Sequence, residues 1–409
     1  MKPLFPSTHR RKFLAGTALG SLAANLLPRR MYAAQLAASH GEIYRQLGVR
    51  PLINAAGTYT TITGCVVSPR VRQAMDEASR SFVRLIELQH AVGERIARLL
   101  DVEAAMVTSG AAGAIMLATA ACVTGKDADK IRRIPDIAGL KNEVIIPKQQ
   151  RNGFDHAARN VGVKLVEVET AEQAKNAVNS STAMLYWTHI FEHRGKIARK
   201  DFIEIGKRAG VPVFNDAAAE LPPYENLAGI VREGFDLVCF SGGKGLRGPQ
   251  ASGLLIGRKD LIEAAHMNNN PHGDTIGRPS KVGKEEIMGL LAAVEVYLQR
   301  NHDADQKLWR GFMESIARDL KGVSSVHTEV YIPGAGGHPV PYLRVQWDQN
   351  KLELTYQDCA RKLREGEPSI EVNASAQEGL SLASYNLFAG EERIVGLKLG
   401  EILKEAARA

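Results

Sequence analysis

Apolar residues along this chain follow two alternating rhythms. Between residues 68 and 100, Val83, Leu85, Ile86, Leu88, Ile96, Leu99 and Leu100 recur at three- and four-residue steps. That spacing stacks side chains on one helix face, and it predicts two helices. Short apolar runs follow at Ala104–Thr108, Glu143–Ile146, Val163–Val168, Ala183–Trp187, Pro212–Asn215, Leu237–Phe240 and Gly253–Gly257. They alternate with helical patterns at Ala114–Val123, Phe154–Asn160, Glu172–Asn179 and Arg199–Ala209. Strands alternating with helices at this spacing predict an α/β fold, a mostly parallel sheet with helices on both faces. Upstream, His40–Val49 reads as a short amphipathic helix and Pro51–Gly57 as an extended entry segment.

The rhythm changes after Asn268–Asp274, which has the composition of a loop. Lys284–Gln306, Trp309–Asp319, Leu354–Arg364 and Glu392–Ala409 are helical, and Val326–Tyr331 and Tyr342–Trp347 are strand-like. Segregated helices with a few strands predict a smaller α+β domain. The expected organisation is a leader over 1–34, an N-terminal segment plus large domain over 35–274, and a small domain over 275–409.

The charge distribution narrows the function classes. The net charge is +7, but Lys2, Arg10, Arg11, Lys12, Arg29 and Arg30 all lie in the leader, which has no acidic residue. The remainder carries about +1, too little for a nucleic-acid footprint. The leader itself has the order of an export signal. His9-Arg10-Arg11-Lys12-Phe13-Leu14 is a twin-arginine pattern, Phe13–Leu27 is weakly apolar, and small residues follow at Ala33, Ala34, Ala37 and Ala38. The stretch is too short for a spanning helix. A bacterial periplasmic location is expected, with no membrane span after signal processing. Cys65, Cys122, Cys239 and Cys359 show no C-x-x-C pair, and His189 and His193 lack a zincin glutamate. No metal site is expected.

The densest chemical signal is Phe240-Ser241-Gly242-Gly243-Lys244-Gly245-Leu246-Arg247-Gly248-Pro249-Gln250. Gly243–Gly248 fits G-x-G-x-x-G, but Pro249 and a strand-like run follow where a dinucleotide site needs a helix. A Walker loop fails too, because no Gly-Lys-Ser/Thr ends it. The remaining functional reading is a Schiff-base lysine at a strand end, with glycines clearing space for a cofactor. Asp216 ends an upstream strand, where a carboxylate would hold a pyridine nitrogen protonated. Thr108-Ser109-Gly110-Ala111 ends another strand and opens a helix, whose free N–H groups suit a phosphate. Each signal alone reads equally well as a turn, a cap or a surface loop. Turn, aspartate and lysine in this chain order are the layout of fold-type I pyridoxal-phosphate (PLP) enzymes.

Ser241–Gln250 also resembles the lysine loop of the bacterial selenocysteine synthase (L-seryl-tRNA(Sec) selenium transferase) family. It looks closer still to that family's metabolic relatives, such as D-glucosaminate-6-phosphate ammonia-lyase. Ile53–Gly57, Phe214–Pro222 and Leu363–Pro368 are similar to the same group. The resemblance implies a fold-type I architecture, a PLP cofactor and a homo-oligomer. It makes Lys244 the Schiff-base lysine, Asp216 the pyridinium partner, Ser109, Gly110 and Ala111 the phosphate cradle, and Ser241 a helper. The chain departs from the selenium transferases in having Gly243 where they usually have Asp. Only a short segment separates the leader from the catalytic body, where those enzymes carry a tRNA-binding module. The expected function is therefore a lyase, releasing ammonia from a small amino acid or amino-sugar acid by α,β-elimination. A transferase, a racemase and a non-catalytic PLP-binding protein are the alternatives. Gln150, Arg151 and Phe154 follow a strand where a ring-stacking group would sit. Arg364 is a candidate for the substrate carboxylate. Arg278, with Lys281 and Lys284, is a candidate for an anionic substrate tail or a neighbouring subunit's phosphate.

Overall fold

The computed structural model describes residues 41–333 and 338–408; residues 1–34, expected as an export leader, lie outside them. The described residues fold as two units. The smaller takes the entry segment through Gly57, residues 305–331 and everything from Val340 onward. The larger takes 58–304 and the segment 332–339. The expected division near residue 275 thus moves to about residue 304, and the N-terminal segment belongs with the small unit.

The entry segment carries β1 (Leu52–Asn54). The large unit then forms β2 (Ala104–Ser109), β3 (Glu143–Pro147), β4 (Lys164–Val168), β5 (Thr182–Thr188), β6 (Val213–Asp216), β7 (Leu237–Ser241) and β8 (Ser252–Gly257). They make one seven-stranded sheet in the order β2-β8-β7-β6-β5-β3-β4. Only β8 runs antiparallel, to both its neighbours. Successive residues face opposite sides, so Tyr186 joins the core under the helix Gly110–Thr124 while Trp187 joins the core under Arg199–Ala209. Both faces are covered, and every residue of β5 is buried.

The small unit pairs β1 in parallel with β11 (Ser369–Glu371). Beside that pair is an antiparallel sheet of β9 (Val326–Tyr331), β10 (Tyr342–Trp347), β12 (Asn373–Ser375) and β13 (Gly379–Ala383), ordered β12-β13-β10-β9. The expected helix over His40–Val49 is a single turn, Glu42–Arg45. The one expected over Lys284–Gln306 stops at Gln299. Asn301 restarts the next helix, its Oδ1 accepting from the Ala304 N–H at 3.0 Å, as an N-cap does.

Candidate active site

The carboxyl ends of β2, β7, β6, β5 and β3 line one edge of the large sheet. Open α/β sheets bind ligands outside such an edge. Ser109, Gln150, Asp216, Ser241 and Lys244 all lie at or just past these strand ends.

Asp216 closes β6 and is buried. Its Oδ1 accepts from the Ala218 N–H at 3.2 Å and lies 3.6 Å from Cys239 Sγ; its Oδ2 accepts from the Tyr186 hydroxyl at 3.2 Å. Burial pushes its carboxyl up, against the Ala218 N–H, the Lys244 charge, the Tyr186 hydroxyl and the Cys239 thiol. Burial likewise holds the Tyr186 hydroxyl and Cys239 thiol far above their ordinary values, so both stay protonated donors. No cation lies within ion-pair distance of Asp216 among the described residues. A buried carboxylate with neutral donors and no counter-ion suits a protonated ring nitrogen. Tyr186 and Cys239 are fully buried core residues that here also hold the aspartate.

The glycines around Lys244 have a different purpose from the one expected. A Cβ on Gly242 would lie 2.0 Å from Ser252 Oγ, one on Gly243 2.7 Å from Gln250 Cα, and one on Gly245 2.3 Å from the Leu221 carbonyl oxygen. The Gly243 carbonyl also accepts from the Cys65 N–H at 3.0 Å. These positions are small because protein atoms close on them. The clamped loop leaves Lys244 half-buried, its Nζ without a hydrogen bond among the described residues. Ser241, the last residue of β7, pairs with Gly253 of β8.

At the end of β2, Ser109 precedes the helix Gly110–Thr124 without capping it. Gly110 has φ +66° and open space where a Cβ would stand, and its N–H donates to the Ala251 carbonyl at 3.0 Å. The following amides open the helix without intrahelical acceptors. Ser109, Gly110 and Ala111 thus present a turn whose outer side suits an anion.

Gln150 is fully buried past β3. Its Oε1 accepts from the Thr188 N–H at 2.8 Å, while its Nε2 has no partner among the described residues. Arg151 is engaged by Asp155 and Glu167, and Phe154 is exposed. Of these three, Gln150 alone turns inward. Arg278 is exposed and donates to Asn270 Oδ1 at 3.3 Å. Arg364 stands in the small unit, in the last turn of the helix Tyr356–Glu365 rather than in a loop. Its guanidinium forks onto Glu371 at 2.8 and 2.7 Å.

At the same edge, just past β5 and β6, lies a charged network. Arg199 donates to His189 Nε2 at 2.9 Å and lies 3.6 Å from Glu192 and 3.2 Å from Glu233. Burial, then the Arg199 charge, lowers His189 to about 4. Glu220 Oε2 is 4.0 Å from His189 Nε2, and its Oε1 is buried without a partner among the described residues. Burial raises Glu220 to about 7, helped by Glu192 and Asp216. His338 comes with the segment 332–339; burial and then the Lys244 charge hold it at about 4.

This sheet, with lysine and aspartate at adjacent strand ends, is a fold-type I PLP-enzyme architecture. The chain belongs to the SelA family (L-seryl-tRNA selenium transferase), whose model matches residues 73–315. It is 30% identical over 378 residues to D-glucosaminate-6-phosphate ammonia lyase of Salmonella typhimurium, covering 89% of this chain and 99% of that one. A solved structure of a D-glucosaminate-6-phosphate ammonia-lyase, 30% identical, superposes with a TM-score of 0.79 over 90% of this chain and 99% of that chain. L-seryl-tRNA(Sec) selenium transferase of Moorella thermoacetica is 28% identical over 66% of this chain but only 60% of its own length. A serine palmitoyltransferase from S. paucimobilis with bound PLP, 14% identical, covers 87% of this chain and 88% of that chain and shares the fold at TM-score 0.54.

Proposed function

We propose that this chain is a PLP-dependent lyase, releasing ammonia from a small amino acid or amino-sugar acid by α,β-elimination. The observation that carries the reading is Asp216, buried, held by three neutral donors and without a counter-ion among the described residues, one strand from the amine of Lys244. Similarity to an ammonia lyase over nearly its whole length supports the reaction class.

The residues present fit the cofactor. Ser109, Gly110, Ala111 and Ser241 would hold its phosphate, Asp216 its ring nitrogen, and Lys244 its aldehyde carbon; the unpartnered Gln150 amide stands at the same edge. Bound PLP supplies an electron sink conjugated to the substrate's amine. Asp216 keeps a proton on the ring nitrogen, and Tyr186 and Cys239 fix the direction of its carboxylate. Freed by the substrate's amine, Lys244 accepts the Cα proton at Nζ. Arg364 and Arg278 remain proposed anion partners for the substrate's carboxylate and tail.

We further propose an active assembly of at least a dimer and export by the twin-arginine route. Gly243, where the selenium transferases usually have Asp, supports a small amino compound over a tRNA.

Borohydride reduction of the holoprotein followed by peptide mapping should place one pyridoxyl group on Lys244. The same holoprotein, screened against D- and L-amino acids and amino-sugar acids, should release ammonia and a 2-keto product without an amino acceptor. A label on another lysine would overturn the cofactor assignment. Transfer of the amine only to an added keto acid, or inversion without ammonia, would replace the lyase with a transferase or racemase.

A further inference from the structure

We propose that Glu220 is the general acid that protonates the substrate's β-substituent as it leaves; the proposal rests on the elimination reading above. Glu220 lies four residues past Asp216, in the segment against which the lysine loop is seated. Its neighbour Leu221 places a carbonyl oxygen 2.3 Å from where a Gly245 Cβ would be. Its carboxyl feels the charges of both Asp216 and Lys244. The residue therefore lies within electrostatic reach of the groups assigned to the two ends of the cofactor ring, in the segment packed against the loop of the lysine that takes the Cα proton.

Its surroundings keep a proton on it. The groups facing it are His189 and Glu192 from the stretch after β5, Arg199 from the helix Arg199–Ala209, Asp216 from β6 and Lys244 from the loop after β7. His189, the one base within 4.0 Å, is held neutral by burial and by Arg199. Arg199 is itself engaged by Glu192 and Glu233. The Glu220 side chain is 16% exposed and has no counter-ion within ion-pair distance among the described residues, while its Oε1 lacks any hydrogen-bond partner. A buried carboxyl in that position holds its proton to higher pH than an exposed one and can donate it.

The chemistry needs such a group, because hydroxide is a poor leaving group. Lys244 Nζ takes the Cα proton and becomes an ammonium. The Cβ–O bond breaks with its electron pair on oxygen. That oxygen takes the Glu220 proton and departs as water, and the Glu220 carboxylate regains a proton from solvent.

The test compares wild-type and Glu220→Gln holoprotein. The first readout needs no substrate: infrared difference spectra between acid and alkaline pH should show protonated-carboxyl intensity titrating near 7 from Glu220 and Glu391, and Glu220→Gln should lose the Glu220 share of it. The second uses the β-hydroxy amino compound from which the wild type releases ammonia in the screen. Glu220→Gln should lose ammonia release by about 100-fold or more, within the range of general acid catalysis. It should keep exchange of the Cα hydrogen with heavy water, and it should still eliminate chloride, which leaves without a proton, from β-chloroalanine. An unchanged infrared band, equal loss of exchange and elimination, or loss of the chloride reaction would overturn the role. A wild type that exchanges the Cα hydrogen of these compounds but releases no ammonia from any would overturn the elimination reading, and this role with it. Ammonia release that Glu220→Gln matches would overturn this role alone.

Discussion

Asp216 is held for its task by residues that look like ordinary core. The Tyr186 hydroxyl bonds a carboxylate, and hydrogen bonds to charged groups contribute about 1.5–3 kcal/mol. Tyr186→Phe removes that donor and leaves the ring's packing on Phe214, at 5.2 Å between centroids. We expect it to raise the pH at which the bound cofactor's absorbance titrates and to lower turnover roughly tenfold, about 1.4 kcal/mol. Asp216→Asn should retain the cofactor and lose far more. Visible-absorbance titration beside steady-state rates checks both. A Tyr186→Phe protein with unchanged spectrum and rate would remove the tyrosine from the site. Asp216 and Lys244 were legible because aspartate and lysine at apolar strand ends are unusual. Tyr186 was not legible: it reaches Asp216 through the β5–β6 register, which pairs Tyr186 with Phe214 and Thr188 with Asp216. Glu220 did carry a signal, an acid just past Asp216 in a run otherwise of alanine, but only the fold brings His189 and the lysine loop to it.

At the scale of elements, the site depends on backbones meeting without side chains between them. A Cβ on Gly253 of β8 would lie 2.3 Å from the Gly110 carbonyl oxygen, at the heart of the proposed phosphate turn. Neither partner is a flexible side chain end, so strand or turn must move. Gly253→Ala should lower stability by about 1–3 kcal/mol, the usual cost of overpacking, and weaken PLP binding at least tenfold. Gly229→Ala, in the helix Asn226–Arg232 with nothing within 4 Å of its Cβ, should stabilise slightly. Thermal melts and PLP titration of both variants decide this; equal behaviour would show that the close approach is unimportant. Most elements of the large unit were legible because buried strands form unbroken apolar runs. β11–β13 were not, since Asn373, Ser375 and Gly379 interrupt them. The split near residue 301 was hidden by continuous helical periodicity, and only the Asn301 cap marks it.

At the scale of the whole molecule, cofactor, assembly and location become one question. PLP is a cytoplasmic product, and a chain threaded unfolded across a membrane would arrive without it. The twin-arginine route carries folded proteins, so Arg10 and Arg11 would let this chain fold, take up PLP and assemble before export. That order agrees with a site built from strand ends distant in sequence, Ser109, Asp216 and Lys244, which exists only in the folded unit. Export, as proposed, would also favour an extracytoplasmic amino compound over the phosphorylated sugar acids of cytoplasmic metabolism. No helix among the described residues is long and apolar enough to cross a membrane. We predict that wild-type protein recovered outside the cytoplasm carries bound PLP and has at least dimer mass by light scattering. Changing Arg10 and Arg11 together to Lys should leave the holoprotein inside the cell, with mass and spectrum unchanged. A wild type confined to the cytoplasm would remove the export proposal and the preference for an unphosphorylated substrate that depends on it. An active species of monomer mass would remove the proposed assembly.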